Sequence, residues 1–326
     1  MIATVAICTW NRATLLDQTL ARLHQLIPPR DHGFEIIVVN NNCTDGTDDV
    51  VSRHEAHLPI RLLHESTPGK VNALNRAIRE AVGEYILFTD DDALVEPDWL
   101  VNTLNCFDRT SADMVFGRVM PWWETAAPKW YDQRLAANFA LLDYGPEPFV
   151  ATSTARSPFG VNYSFRRSVF DEIGMYKTDL GPRGGTGFGG EDDEIFRRML
   201  RHGKTVQYDP TCVVRHYVPA LRCRKSYHRM RSWRGSQDHL QLLRDEAANE
   251  PHLPRLFGIP RYVARIHLGY APKYLKALLA FDRPGAFHAE LKLIRTLGLA
   301  WNLLVRRPPP APVSSPSPVH ALANTP

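Results

Sequence analysis

The chain has 326 residues, of which 44% are hydrophobic and 23% charged, with 39 basic against 35 acidic side chains and a net charge of +4. That length can bury a core without disulfide or metal staples, and the composition excludes a disordered, collagenous or disulfide-scaffold chain. So small a net charge argues against a dedicated nucleic-acid binder, and five scattered cysteines with no Cys-x-x-Cys pair indicate neither a zinc ribbon nor a disulfide framework.

Val5 to Cys8 reads as a short buried strand rather than a signal peptide. Leu15, Leu16, Leu20 and Leu23 follow at helical spacing. Ile36 to Val39 is a second strand, closed by a polar turn from Asn40 to Thr47, and Ile60 to Leu63 is a third. Ala73, Leu74, Ala77, Ile78 and Ala81 mark a helix ended by Gly83. Tyr85 to Phe88 is a fourth strand, and Asp90, Asp91 and Asp92 come directly after it. Strands alternating with helices predict an α/β fold, a Rossmann-like and mostly parallel sheet with both faces covered. Ligands bind beyond the carboxyl ends of such strands. Thr9 to Arg12, Asn40 to Asp45 and Asp90 to Asp92 all fall at those ends.

The middle of the chain is less regular. Val115 to Met120 reads as a strand, followed by an aromatic stretch with Trp122, Trp123, Trp130 and Tyr131. Residues 181–190 hold six glycines. Glu191 to Arg201 has helical periodicity, and Thr211 to Val214 is a strand running up to His216. Residues 215–234 carry seven Arg or Lys and no acid. From about Leu253 to Val305 the pattern is helical and amphipathic. The expected organisation is one domain in two halves (1–112 and 113–240), a helical extension (241–306) and a disordered Pro-rich tail (307–326). No apolar run approaches the ~18 residues that span a bilayer, and free cysteines suit a reducing compartment. The expected location is therefore the cytoplasm, with the inner face of a membrane open because Tyr262 to Trp301 mixes basic and apolar residues.

Two acid clusters could carry chemistry. Asp90, Asp91 and Asp92 repel one another unless a cation sits among them, and hard divalent cations take carboxylate oxygens. The plainer reading is acids near a helix start. Glu191, Asp192, Asp193 and Glu194 open a helix, which favours anions for the same reason. They could equally supply a general base. His216 is a candidate ligand or a structural histidine, the basic run a phosphate site or a solvated face, and Lys70 an anion contact or an exposed first-turn lysine.

Taken in order, these pieces resemble the inverting family-two glycosyltransferases of GT-A fold. Val5-Ala6-Ile7-Cys8-Thr9-Trp10-Asn11-Arg12 is similar to the family's opening strand. Val38-Val39-Asn40-Asn41-Asn42-Cys43-Thr44-Asp45-Gly46-Thr47 follows, with Asn40 where the family usually has aspartate. Gly69-Lys70, the stretch from Gly83 to Asp92, Gly160 to Arg167, Gly190 to Glu194 and His216 with Arg222, Tyr227, Arg231 and Gly235 complete the set. The resemblance implies a nucleoside-diphosphate sugar donor, UDP-linked, and a divalent cation, Mn or Mg. It implies that Thr9, Asn11, Arg12, Asn40, Asn42, Lys70, Asp90 and Asp91 line the donor site, with Arg222 and Arg231 as anion contacts. Asp92 and His216 would hold the metal, and Asp192, with Glu191 beside it, would be the catalytic base. Trp122, Trp123, Trp130 and Asn162 are candidate contacts for a hydroxyl acceptor, a saccharide or lipid-linked saccharide. An amide at Asn40 can still satisfy uracil's edge, and thymine presents the same edge. A nucleotidyltransferase on a related fold, or a non-enzymatic module docking anionic lipid or nucleic acid, would use some of these residues but leave one or both acid clusters without a task.

Overall fold

In the computed structural model, the residues described are 2–30, 33–182, 190–237, 239–240, 243–244, 252, 254–256, 259–261, 265–266 and 269–304. The Pro-rich tail and most of the glycine-rich stretch lie outside them. The first half alternates as the periodicity predicts: β1 (Ile2–Thr9), α1 (Ala13–Leu23), β2 (Gly33–Asn40), α2 (Thr47–Glu55), β3 (Ile60–His64), α3 (Lys70–Glu80) and β4 (Tyr85–Asp90). These four strands are parallel, in the order β3-β2-β1-β4. Their register aligns the ends that matter. Thr9 pairs with Asn40, Asn40 with His64, and Cys8 with Asp90. Parallel pairing requires a crossover after every strand, so each polar strand end opens at the same edge of the sheet. Gly83 does not cap α3, which ends at Glu80. It lies against β1, where a Cβ would meet Thr4 N at 2.6 Å.

The second half contributes β5 (Ala93–Val95), α4 (Trp99–Thr110), β6 (Met114–Trp123), β7 (Phe149–Val150), β8 (Tyr163–Arg166), α5 (Val169–Ile173), α6 (Glu191–Arg201), β9 (Val206–Val218) and α7 (Lys225–Arg234). The nine strands form one mixed sheet that continues from β4 as β8-β6-β9-β5, with β7 also on β9. Parallel order stops at β8, which runs antiparallel to both β4 and β6. No crossover helix precedes it; a long excursion with short 3-10 turns does. Strand β9 is much longer than the apolar run that predicted it, and it contains His216. Pro210 and exposed Thr211 break the sequence pattern where β6 and β9 shift register. Gly117 sits at that shift, and a Cβ there would stand 1.9 Å from the Cys212 carbonyl oxygen.

The extension ends in a helical hairpin, α8 (Tyr270–Leu279) and α9 (Arg283–Leu304). It is fastened to the α/β domain. Phe287 packs edge-on against Trp130 at 4.8 Å between centroids, Arg229 Nε donates to Glu290 at 2.6 Å, and Arg134 Nη2 donates to Asp282 at 2.7 Å.

Candidate active site

The three polar strand ends are knitted into one surface. Thr9 Oγ1 donates to Asp91 Oδ2 at 2.8 Å, while Arg12 Nη1 donates to Asp91 Oδ1 at 3.0 Å and to Asp92 Oδ2 at 2.7 Å. Asn11, at φ 52, presents its Oδ1 to the Thr44 N–H at 2.7 Å. Asn42, at φ 62, donates to the carbonyls of Glu65 and Ser66 at 3.1 and 3.0 Å. Asparagine tolerates this left-handed backbone better than most residues. These two therefore set the loops rather than merely decorate them. Asn40 is nearly buried: its Oδ1 accepts from Cys43 N at 2.7 Å and its Nδ2 donates to Asp48 Oδ1 at 2.7 Å. Its second amide N–H has no bond among the described residues.

Lys70 Nζ, at the first residue of α3, donates to Asp90 Oδ1 at 2.7 Å. Burial alone would lower its pKa, but Asp90, Asp192 and Glu191 together hold it well above the ordinary lysine value. Burial, only partly offset by Arg12 and reinforced by Asp92, pushes the Asp91 carboxyl up to about 7.

Asp90, Asp92 and His216 can each turn one ligand atom to within 4.8 Å of the others. His216 Nε2 stands 3.5 Å from Asp92 Oδ1. That Oδ1 and His216 Nδ1 are buried and have no hydrogen-bond partner among the described residues. Buried polar atoms are rarely left so. Burial keeps the imidazole below its ordinary pKa, Asp92 notwithstanding, with the charge of Arg222 adding to the effect. It is thus neutral, as a ligand must be. Two carboxylates and one neutral imidazole make an oxygen-and-nitrogen donor set that fits a divalent cation such as Mn.

The second acid cluster is seated differently. Asp192, in the first turn of α6, takes the Gly160 N–H on Oδ2 at 2.8 Å and the Tyr163 hydroxyl on Oδ1 at 3.0 Å. The Tyr176 hydroxyl bonds that of Tyr163 at 2.7 Å. The backbone of Tyr176 is clamped on both sides by the Asn75 amide of α3, at 2.9 and 3.0 Å. Gly160 is required by contact: a Cβ there would lie 2.5 Å from Asp192 Oδ1. Burial raises the Asp192 pKa above the ordinary carboxylate value, against Lys70, Gly160 and Tyr163, which lower it. Burial, then Asp192, pushes Glu191 up to about 7, and its Oε2 has no partner among the described residues. Tyr163, Tyr176, Gly160 and Asn75 were missed by the sequence reading. The only signal for two of them was membership in the Gly160-to-Arg167 string.

The remaining candidates scatter. Trp122 packs against Tyr217 at 5.0 Å, Trp123 against Tyr131 and Phe139 at 5.2 and 5.5 Å, and Trp130 against Phe287. Asn162 needs correcting. Its Nδ2 donates to the carbonyls of Arg118 and Cys212 at 2.7 and 2.9 Å, its Oδ1 accepts from Trp99 Nε1 at 2.9 Å, and it is 2% exposed. It braces β6 to β9 and has nothing left to offer an acceptor. Arg231 is exposed on α7, and its charge falls on His228 and Arg295.

The family described as glycosyl transferase family 2 matches residues 4–174, more than half the chain. The chain belongs to that family. Among its relatives, this glycosyltransferase is 27% identical over 246 residues to the succinoglycan biosynthesis protein ExoM of Rhizobium meliloti, covering 74% of this chain and 75% of the relative. It is 27% identical over 262 residues to a glucosyl-dolichyl phosphate glucuronosyltransferase of Haloferax volcanii, covering 77% and 80%. In fold it is similar to the mannosyltransferase PcManGT of Pyrobaculum calidifontis, solved with GDP-Man and Mn2+, at TM-score 0.60, 22% identity, and 92% and 87% coverage. It is also similar to residues 1–349 of S. aureus TarS solved with UDP-GlcNAc, at TM-score 0.53, 14% identity, and 91% and 92% coverage. The glycosyltransferase has the mixed α/β architecture of GT-A enzymes.

Proposed function

We propose that this glycosyltransferase moves one sugar from a nucleoside-diphosphate sugar, UDP-linked, to an acceptor hydroxyl with inversion, and depends on a divalent cation. The observation that carries the reading is that both acid clusters act on one ammonium: Lys70 bonds Asp90 at 2.7 Å and also lies in the field of Asp192 and Glu191. A cation site and a general base belong within one reaction centre, and two remote acid patches would not share one half-buried lysine.

Asp90, Asp92 and His216 are the residues that would hold the cation, Mn or Mg, which when bound supplies charge neutralisation to a diphosphate leaving group. Lys70 and Arg12 are permanently charged and add to that field, and Arg222 lies near enough to act on His216. Thr9, Asn11, Arg12, Asn40 and Asn42 form the loops that would receive the nucleoside. The free N–H of Asn40 suits a base carbonyl. Asp192 takes the acceptor's proton, and inversion follows if the oxygen it activates attacks opposite the leaving diphosphate. With the leaving charge met by cations, no protonated acid is needed. Trp122 and Trp123 are the aromatic candidates for the acceptor. The Haloferax relative's name points to a lipid-linked acceptor and the Rhizobium relative's to a growing saccharide. No helix among the described residues is long and apolar enough to cross a membrane, so work at the cytoplasmic face of one would be peripheral.

The test is calorimetric titration with UDP, dTDP, GDP and CDP, each with and without manganese. Selective binding of UDP, strengthened by the metal, is expected. Tightest binding of GDP or CDP would replace the base assignment. Binding of none in either condition would overturn the donor site as drawn.

A further inference from the structure

Among the described residues, nothing covers the apolar face of helix α8. Leu275, Leu278 and Leu279 are 61%, 48% and 82% exposed, and Phe281, in the turn to α9, is 89% exposed. Isolated apolar residues on a surface are ordinary, but these four lie within seven residues of chain.

The turn itself is odd. Asp282 N bonds Ala277 O at 2.9 Å and Phe281 N bonds Leu278 O at 3.1 Å. That is the hydrogen-bond pattern of a helix cap whose left-handed residue is usually glycine. Here the residue is Phe281, at φ 53. A bulky side chain is costly in that conformation, and Phe281 gains no packing in return. The turn is also held rigid. Asp282 takes both Arg134 nitrogens, at 2.5 and 2.7 Å, and caps the Gly285 N–H at 3.0 Å.

Charge points to the occupant. Residues 269–304 hold five Lys or Arg and two acids. Both acids are engaged, Asp282 by Arg134 and Glu290 by Arg229. Lys273, Lys276 and Arg283, all exposed, flank the apolar cluster, and residues 269–304 have no further acid to oppose them. A rigid apolar tip in a basic surround matches an anionic bilayer: the tip enters the acyl boundary and the cations meet lipid headgroups.

We propose that the α8–α9 turn docks the enzyme on anionic membrane, with Leu279 and Phe281 inserting and Lys273, Lys276 and Arg283 contacting headgroups. This is independent of the donor, metal and base assignments, because vesicle binding is read without any of them. The full chain would be sedimented with vesicles of phosphatidylcholine alone and of phosphatidylcholine mixed with phosphatidylglycerol. Binding to the mixed vesicles only, weakening as salt rises, is expected.

Phe281→Gly supplies the residue the cap prefers, so it should melt at the wild-type temperature or above, yet partition about tenfold more weakly, a difference of about 1.4 kcal/mol. The pair Lys273→Gln and Lys276→Gln should flatten the salt dependence. Failure of the wild type to bind the mixed vesicles overturns the proposal, as does wild-type binding by a well-folded Phe281→Gly variant. So does a wild-type dimer that Phe281→Gly dissociates without changing vesicle binding, because the occupant would then be a second copy of the chain.

Discussion

The two acid clusters of this glycosyltransferase face one lysine but are built from opposite materials. The Asp90–Asp92 cluster is bonded by cations, Arg12 and Lys70, and by the Thr9 hydroxyl. Among the described residues, the donors that bond Asp192 are neutral, the Gly160 N–H and the Tyr163 hydroxyl. Burial would raise the Asp90 pKa, but direct ion pairing with Lys70 outweighs it and holds Asp90 below its ordinary value, a poor proton acceptor, whereas burial raises Asp91 despite Arg12. Neutral donors orient a carboxylate while leaving it more of its basicity. The chain thus separates a place for positive charge from a place for a proton, while Lys70 bonds the first directly and feels the charge of the second.

Substitutions should break the two seats in different ways. Asp192→Asn keeps the shape of its seat and removes the proton acceptor. Transfer should fall by about 10²–10⁴-fold, the range for a general base, with nucleotide affinity unchanged by calorimetry. Asp92→Ala should do the reverse at the level of binding, removing manganese's enhancement of nucleotide affinity. A transfer rate that survives Asp192→Asn, or a manganese effect that survives Asp92→Ala, would erase the distinction drawn between the clusters.

The two clusters were legible in the sequence, for a physical reason. Runs of acids behind a buried strand or at a helix start are conspicuous because charge is scarce there, so Asp90, Asp92 and Asp192 stood out. What seats them did not. Tyr163 and Tyr176 are buried aromatics by composition, and nothing local distinguishes a tyrosine that bonds a carboxylate from one that fills a core. Asn162 stood in the same string and looked like a contact residue; only the β6–β9 pairing shows that its amide is spent on backbone. The antiparallel strand β8 was hidden for a similar reason, since its insertion is decided by the partners across the sheet rather than by the strand's own residues. The turn at Phe281 was hidden because a helix cap usually announces itself with glycine.

The neutral seat can be deformed without touching a charge. Gly160→Ala places a Cβ 2.5 Å from Asp192 Oδ1. The carboxylate must move, and a displacement on the order of 1 Å at a reacting group costs about a hundredfold. The expected loss is in kcat, with manganese-dependent nucleotide binding intact. Equal losses in binding and turnover would mean that the two seats are mechanically one.

The finest test changes basicity alone. As the proposed base, Asp192 would work as a carboxylate, so transfer should fall as pH drops through its pKa. Burial has already raised that pKa, and the Tyr163 hydroxyl holds it down. Tyr163→Phe removes the restraint, so the pKa should rise further and the acid limb of the kcat/KM profile should move to higher pH. A hydrogen bond to a charged group is worth roughly 1.5–3 kcal/mol, which sets a shift of about one pH unit or somewhat more. Well above the limb, where the carboxylate is ionised in both proteins, the rates should converge. Tyr176→Phe keeps the direct bond to Asp192 and should move the limb in the same direction by less. A uniform loss across the whole pH range in Tyr163→Phe, with no displacement of the limb, would mean that the tyrosine only fills space and that the basicity of Asp192 is set by burial and Lys70.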